Sequence, residues 1–279
     1  MSTTPTQAPR RARPQTVLDV LETTWIAPHM VRVVAGGPGF AAFQGNEYTD
    51  KYVKVLFAKP ELGLEPPYDV AALRETLAPE DLPVTRTYTV RWVDDAAQRL
   101  AIDFVVHGDE GIAGPWAASA RPGDRIVLSG PGGLYAPDPD VDWHLLVGDD
   151  SAVPAISAAL EAMPRDAVGQ AWIEVATEAD VQAIDAPSGV EVTWLHRGDA
   201  PAGTTTLLPD AVRAAPWRDG RVQIFAHGER EAMKALRRVF AQRGVPRADL
   251  SLSGYWAYGR AEDRFQAEKR EPIGQIFED

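Results

Sequence analysis

The 279-residue chain contains no cysteine. Disulfides, iron–sulfur ligation, thiolate zinc sites and cysteine nucleophiles are excluded together. Any redox chemistry must then come from a cofactor held without thiolates. Positive charge is also scarce: 28 Lys and Arg face 40 Asp and Glu, for a net −12 with His neutral. Generic nucleic-acid binding needs the opposite balance, a cation surplus that displaces phosphate counterions. No apolar run approaches the ~18 residues that a membrane-crossing helix requires. The basic stretch Arg10-Arg11-Ala12-Arg13 is followed by Pro14 and not by the apolar segment of a targeting peptide. Phosphate-loop, dinucleotide GxGxxG, HExxH and GxSxG patterns are missing. His29, His107, His144, His196 and His227 are scattered, none at the spacing of a helix-borne metal pair. These absences predict a cytoplasmic monomer with no nucleic-acid partner, no membrane insertion and no metal on protein ligands.

What is present divides into two halves. At 45% hydrophobic and 24% charged, the chain has ordinary globular material for a core, and its length suits two domains of roughly 150 residues. Residues 1–15, rich in Pro, Thr and Gln, read as a disordered arm. Over residues 16–136, short runs end at turn signals: Met30–Val34, Tyr52–Phe57, Thr87–Val93, Leu100–Val106 and Arg125–Leu128. Five or six such strands predict a closed antiparallel β-barrel. Leu73–Leu82 reads equally as a short inserted helix or a loop. After Pro137-Asp138-Pro139 the pattern changes to strand–helix alternation over residues 141–256. Strands are expected at Trp143–Gly148, Ala171–Ala176, Val190–Leu195, Val222–Ala226 and Leu250–Trp256, with helices at Val153–Met163 and Arg230–Gln242. This is the signature of an α/β domain with a parallel sheet. A charged helix at about Glu262–Glu271 follows, within a C-terminal tail over residues 257–279.

Three motifs carry chemistry. Arg86-Thr87-Tyr88-Thr89 opens a barrel strand. It offers an aromatic face for a planar ring, hydroxyls for its edge and a guanidinium for a phosphate, although Tyr and Thr are also simply good strand formers. His107-Gly108-Asp109-Glu110-Gly111-Ile112-Ala113-Gly114-Pro115-Trp116-Ala117 leaves the next strand. Its glycines permit close backbone approach, and a helix opening there presents amides to a pyrophosphate; a Gly-rich turn into a structural helix is the plainer alternative. Gly148-Asp149-Asp150-Ser151, before Ala152-Val153-Pro154, is a strand–turn–helix junction at the first crossover of the parallel sheet. Its two aspartates are unsuited to a pyrophosphate; they fit hydrogen bonds to ribose or ring-edge donors, or helix capping. His227-Gly228-Glu229 provides a second loop on the same sheet edge.

A barrel carrying Arg86–Thr89 and the turn of His107–Ala117, followed by Val147-Gly148-Asp149-Asp150-Ser151-Ala152-Val153-Pro154, resembles the siderophore-interacting protein family. So does the tail, with Gly254-Tyr255-Trp256, Gly259–Asp263 and Lys269-Arg270-Glu271. These are FAD-dependent ferric-siderophore reductases of the ferredoxin-reductase superfamily, and the resemblance spans residues 16–275. It implies that Tyr88 packs on the isoalloxazine and Arg86 reaches the phosphates, with Thr87 and Thr89 in the same motif. It places His107 and Gly108 in the next flavin segment, with Ala113, Gly114, Pro115, Trp116 and Ala117 near the pyrophosphate. Gly148, Asp149, Asp150 and Ser151 match the family's turn beside flavin and nicotinamide, where ferredoxin-reductase relatives carry a Gly-Thr-Gly type turn.

The implied chemistry runs from NAD(P)H, or from a ferredoxin, through FAD to a ferric siderophore. Hard anionic siderophore oxygens hold Fe(III) far better than Fe(II), so reduction loosens the metal without protein ligands to iron. An acidic protein needs a local basic pocket for an anionic complex; the candidates are Lys51, Lys54, Arg260, Lys269 and Arg270. For the tail the alternative is a solvated helix with an Arg264–Glu268 pair one turn apart. A general NAD(P)H:flavin oxidoreductase and a non-enzymatic siderophore carrier would share many of these features. Arg197 could meet a 2′-phosphate while Asp199 opposes one, so the sequence leaves the donor open.

Overall fold

The computed structural model describes residues 14–277 apart from residue 110; most of the expected N-terminal arm, and Glu110 of the turn motif, lie outside the described residues. Gln15 already belongs to the first strand. The chain opens with β1 (Gln15–Ala27) and β2 (Met30–Gly36), then β3 (Tyr52–Phe57), β4 (Val84–Asp94), β5 (Arg99–Val105) and β6 (Arg125–Gly132). These six close into an antiparallel barrel in the order β1-β2-β5-β4-β3-β6. The sequence reading had no run for β1 because Asp19 and Glu22 interrupt its apolar residues. In a strand, alternate positions face opposite sides: Thr16, Leu18 and Val20 point inward and are buried while their neighbours face out. The barrel is filled by Leu18, Val33, Val53, Val55, Leu100, Ile102, Phe104, Ile126 and Leu128.

Two short helices decorate the barrel. The ambiguous segment contains α1 (Val70–Thr76), which starts earlier than expected because Asp69 caps it, accepting from the amides of Ala71 and Ala72. Between β5 and β6, α2 (Ala113–Ser119) follows the Gly-rich turn.

The second half is β7 (Trp143–Asp149), α3 (Val153–Ala162), β8 (Val168–Val175), β9 (Gly189–His196), α4 (Leu207–Ala214), β10 (Val222–Glu229), α5 (Arg230–Gln242), β11 (Leu250–Trp256) and α6 (Glu262–Glu268). Its five strands are parallel, in the order β11-β10-β7-β8-β9. Every residue of β7 is buried, as a central strand covered on both faces requires. One face packs Leu146, Ile156, Leu160 and Ile173 under α3. The other packs Leu145, Val147 and Ile224 against Leu208 and Val212 of α4 and Met233, Leu236 and Phe240 of α5. Each such buried aliphatic or aromatic side chain contributes about 1.5–3 kcal/mol. The sequence reading lacked α4, a two-turn helix carrying Pro209, and gave α6 three residues too many.

The halves meet along α3, β4 and the β1–β2 hairpin. Arg91 of β4 pairs with Glu161 of α3, and His29 lies 2.8 Å from Asp180. Tyr135 stacks obliquely on Phe225, ring centroids 4.9 Å apart. Tyr255, near the carboxyl end of β11, is hydrogen-bonded to Thr89 of the barrel motif on β4.

Candidate functional site

β4 is paired with β3 in a register that sets Thr87 opposite Lys54, Thr89 opposite Tyr52 and Tyr88 opposite Val53. Arg86 and Tyr88 therefore share one side of the strand, and Thr87, Thr89 and Lys54 share the other. The Tyr88 ring lies 4.3 Å from that of Phe104 on β5, and burial pushes its hydroxyl well above the ordinary tyrosine range. Phe104 also touches Trp116 of α2, centroids 5.7 Å apart, and Trp116 meets Phe57 edge-on at 5.5 Å. One fully buried phenylalanine thus joins the Arg86–Thr89 strand to the Gly114-Pro115-Trp116 turn.

The donor set here fits FAD. Among the described residues no side chain caps α2, whose N-cap is Ile112. Gly108 and Gly111 have positive φ, 65° and 80°, and open space where a Cβ would sit. His107 and Gly108 are exposed, Ala113 and Ala117 are buried underneath, and Gly114, Pro115 and Trp116 are half-buried. Arg86 supplies a guanidinium beside this surface, bound at 3.1 Å to Asp263, an exposed carboxylate at the start of α6. Arg86, Thr87, Tyr88 and Thr89 would hold the cofactor along β4, with the His107–Ala117 turn at its phosphates.

The turn at Gly148–Ser151 is built differently. Gly148 is where β7 touches β10: a Cβ there would lie 2.7 Å from the His227 carbonyl oxygen and 2.5 Å from Ala152 Cβ. Asp149, buried, accepts four hydrogen bonds, from Ser151 N and Oγ and from Glu229 N and Trp256 Nε1. Burial raises its pKa and those bonds oppose the rise. Gly228, with φ 153°, makes room for this carboxylate: a Cβ there would stand 2.7 Å from Asp149 Oδ2. Asp150 pairs with Arg197 at 2.5 Å, and burial lifts its pKa to about 6 against the pull of that guanidinium. His227 stacks on Phe225 at 4.0 Å and contacts Ser251 Oγ through Nε2; burial lowers its pKa to about 3, so it is neutral at physiological pH.

The basic candidates do not all converge. α6 reaches β4 through the Asp263–Arg86 pair, and Lys269, just past α6, stands over the Phe265 ring at 4.7 Å. Desolvation holds its ammonium below the ordinary value; Glu262 works against that and Lys54 adds to it. Lys54, from the other half, is exposed on β3 opposite Thr87. Arg270 is exposed next to Lys269. Arg260 is drawn away to Glu268, at 2.9 Å. Lys51, just before β3, donates to the Tyr48 carbonyl at 2.6 Å.

Sequence reading missed the carboxylates that organise this tail. Glu268, 1% exposed, receives Arg230 at 2.6 Å and Arg260 and Arg264 at 2.9 Å each. Those guanidinium groups, Arg230 foremost, hold its carboxyl down to about 2. The only available signal was the Arg264–Glu268 spacing, and that pair is formed. Among the described residues there is no acidic or histidine cluster arranged for a metal ion and no helix long and apolar enough to cross a membrane.

Two family models match in tandem: the siderophore-interacting FAD-binding domain over residues 19–135 and the siderophore-interacting protein domain over residues 141–259. An uncharacterized protein of Mycobacterium tuberculosis is 46% identical, covering 93% of this chain and 96% of its own. This chain belongs to the siderophore-interacting protein family. Ferric vibriobactin reductase ViuB of Vibrio cholerae is 32% identical over 94% of this chain and 96% of its own. A siderophore utilization protein from T. fusca superposes with a TM-score of 0.78 at 39% identity, covering 89% of this chain and 94% of that one. Its family domain makes the barrel half an FAD-binding unit, in agreement with the donor set described above.

Proposed function

We propose that this protein is an FAD-dependent reductase of ferric siderophores that draws its electrons from NAD(P)H. The observation that carries the substrate half is the placing of cations from both halves beside the motif strand. In a chain of net charge −12, Lys54 lies opposite Thr87 in the β3–β4 register, and Lys269 follows the helix whose Asp263 binds Arg86. Cations gathered beside one strand of an acidic chain give a local positive potential that suits an anionic ligand. An anionic ferric complex is such a ligand, and Arg270 is near enough along the chain to extend the patch. The similarity to a ferric vibriobactin reductase over nearly the whole chain supports the same reading.

Held by these residues, FAD would supply two-electron acceptance of a hydride and one-electron delivery to two Fe(III), with the hydride's proton released. The chain's own residues position and shield. Arg86 and the turn opening α2 would hold phosphate, Tyr88, itself backed by Phe104, would support the ring, and Lys54 and Lys269 would draw the anionic complex in. Iron needs no protein ligand, because Fe(II) leaves a hard oxygen chelate once formed. The test uses FAD-loaded protein, a dihydronicotinamide and a ferric catecholate with an Fe(II) trap. Catalytic Fe(II) release is expected, and Lys269→Ala is expected to raise KM with FAD content retained. A protein that binds the ferric complex without turnover with any donor is a carrier and overturns the proposal.

A further inference from the structure

Open parallel sheets bind dinucleotides outside the carboxyl ends of their strands, with the pyrophosphate on helix N-termini. In this chain that edge is already filled with negative charge. Glu229, at the end of β10, turns back onto α5: its Oε2 accepts from the amides of Glu231 at 2.6 Å and Ala232 at 2.9 Å. Asp149, at the end of β7, takes the Ser151 amide in the turn that opens α3, and Pro154 removes another donor from that helix. Glu174 of β8 accepts from Thr205 Oγ1 at 2.8 Å. Asp149, Asp150, Glu174, Asp180 and Glu229 are all under a tenth exposed. Arg197, which follows β9, is the cation placed to meet a 2′-phosphate, but Asp150 holds it at 2.5 Å and its side chain is 10% exposed. A pyrophosphate arriving here would displace buried carboxylates from their amides and would itself lie among like charges.

We propose that this edge admits the nicotinamide end of the reduced donor without gripping its pyrophosphate, with Asp150 as a specificity determinant that makes the added phosphate of NADPH a penalty. The inference rests on the reading of the protein as a flavin reductase fed by dihydronicotinamides. It predicts that NADH outperforms NADPH. It also predicts that reduced nicotinamide mononucleotide, which lacks the adenosine half and the pyrophosphate bridge, performs nearly as well as NADH.

The test is anaerobic flavin reduction in the FAD-loaded protein with NADH, NADPH and reduced nicotinamide mononucleotide at low and high salt. The expected second-order rate constant for NADPH is ~10-fold below that for NADH at low ionic strength, and the gap narrows as salt screens the carboxylates. The mononucleotide is expected within ~3-fold of NADH, since the missing atoms made no favourable contact. In Asp150→Asn, which removes one charge and releases Arg197, the NADPH-to-NADH ratio rises. A binding readout needs no variant and no turnover: adenosine 2′,5′-bisphosphate and ADP-ribose at ~1 mM leave Tm unchanged. A rate with NADPH equal to or above that with NADH overturns the inference. So does a mononucleotide rate ~30-fold below NADH, a Tm rise with either adenosine fragment, or a ratio unmoved by Asp150→Asn. Reduction by none of the three donors instead overturns the donor half of the function itself, a result distinguishable from NADPH preference.

Discussion

Phe104 offers the sharpest perturbation of the cofactor surface, because it touches both motifs without belonging to either. It is fully buried in the barrel, with its ring 4.3 Å from Tyr88 and 5.7 Å from Trp116. Phe104→Leu retains an apolar side chain but removes both ring–ring contacts. At about 0.5–1.5 kcal/mol per aromatic pair, the change costs about 1–3 kcal/mol in stability. Roughly half of that, about 1 kcal/mol, is expected to appear as coupling to the cofactor, a ~5-fold rise in the FAD Kd. Phe240→Leu is the control: Phe240 is equally buried, on α5 in the other half. Denaturant unfolding measures the stability of both variants, and flavin fluorescence titration measures FAD affinity. If Phe104→Leu loses stability while its FAD Kd stays within ~2-fold of the parent, or if Phe240→Leu weakens FAD as much, the packing account of the site is wrong.

Two buried groups give opposite pH signatures. His227 has a folded pKa of about 3 against an ordinary 6.5, so the unfolded chain binds its proton first. Stability from this group is present above pH 6.5 and declines with acidification, by about 2 kcal/mol at pH 5. Asp150, lifted to about 6 from 3.8, gains stability as pH falls from 6 toward 4. Denaturation at pH 7 and pH 5 should therefore show a flatter decline in His227→Asn and a steeper one in Asp150→Asn; parallel slopes in all three proteins would contradict the assignment. Glu268→Gln removes the carboxylate shared by Arg230, Arg260 and Arg264, and hydrogen exchange should accelerate over residues 262–277 while the barrel amides stay protected. Unchanged exchange in that segment would show that α6 is held by Phe265 packing alone.

Much of the architecture was legible because it rests on local pattern. Alternation and turn residues marked the barrel, and near-continuous apolar runs such as Trp143–Gly148 marked strands buried on both faces. The α5 helix, Arg230–Gln242, has the same bounds in the structure as in the sequence reading. What failed was also local in origin. Asp19 and Glu22 disguised β1, whose inward Leu18 and Val20 are nonetheless apolar, and Pro209 concealed α4. The motif residues were visible one by one, but their partners were not. Asp263 on Arg86 joins positions 177 apart in the chain, and Trp256 and Glu229 on Asp149 join positions 107 and 80 apart. Such pairings depend on how the halves dock, which no periodicity encodes. The choice between capping and ligand roles for Asp149 was open in sequence; in the structure its oxygens are occupied by the chain's own donors.

The claim that the flavin delivers electrons to chelated iron is tested most directly by removing the donor question altogether. FAD-loaded protein is photoreduced anaerobically, mixed with an excess of a ferric catecholate siderophore, and followed by flavin absorbance and Fe(II) trapping. Flavin reoxidation with close to two Fe(II) trapped per FAD is the predicted result, since each reduced flavin carries two electrons. Flavin that remains reduced in the presence of the bound ferric complex would contradict the account.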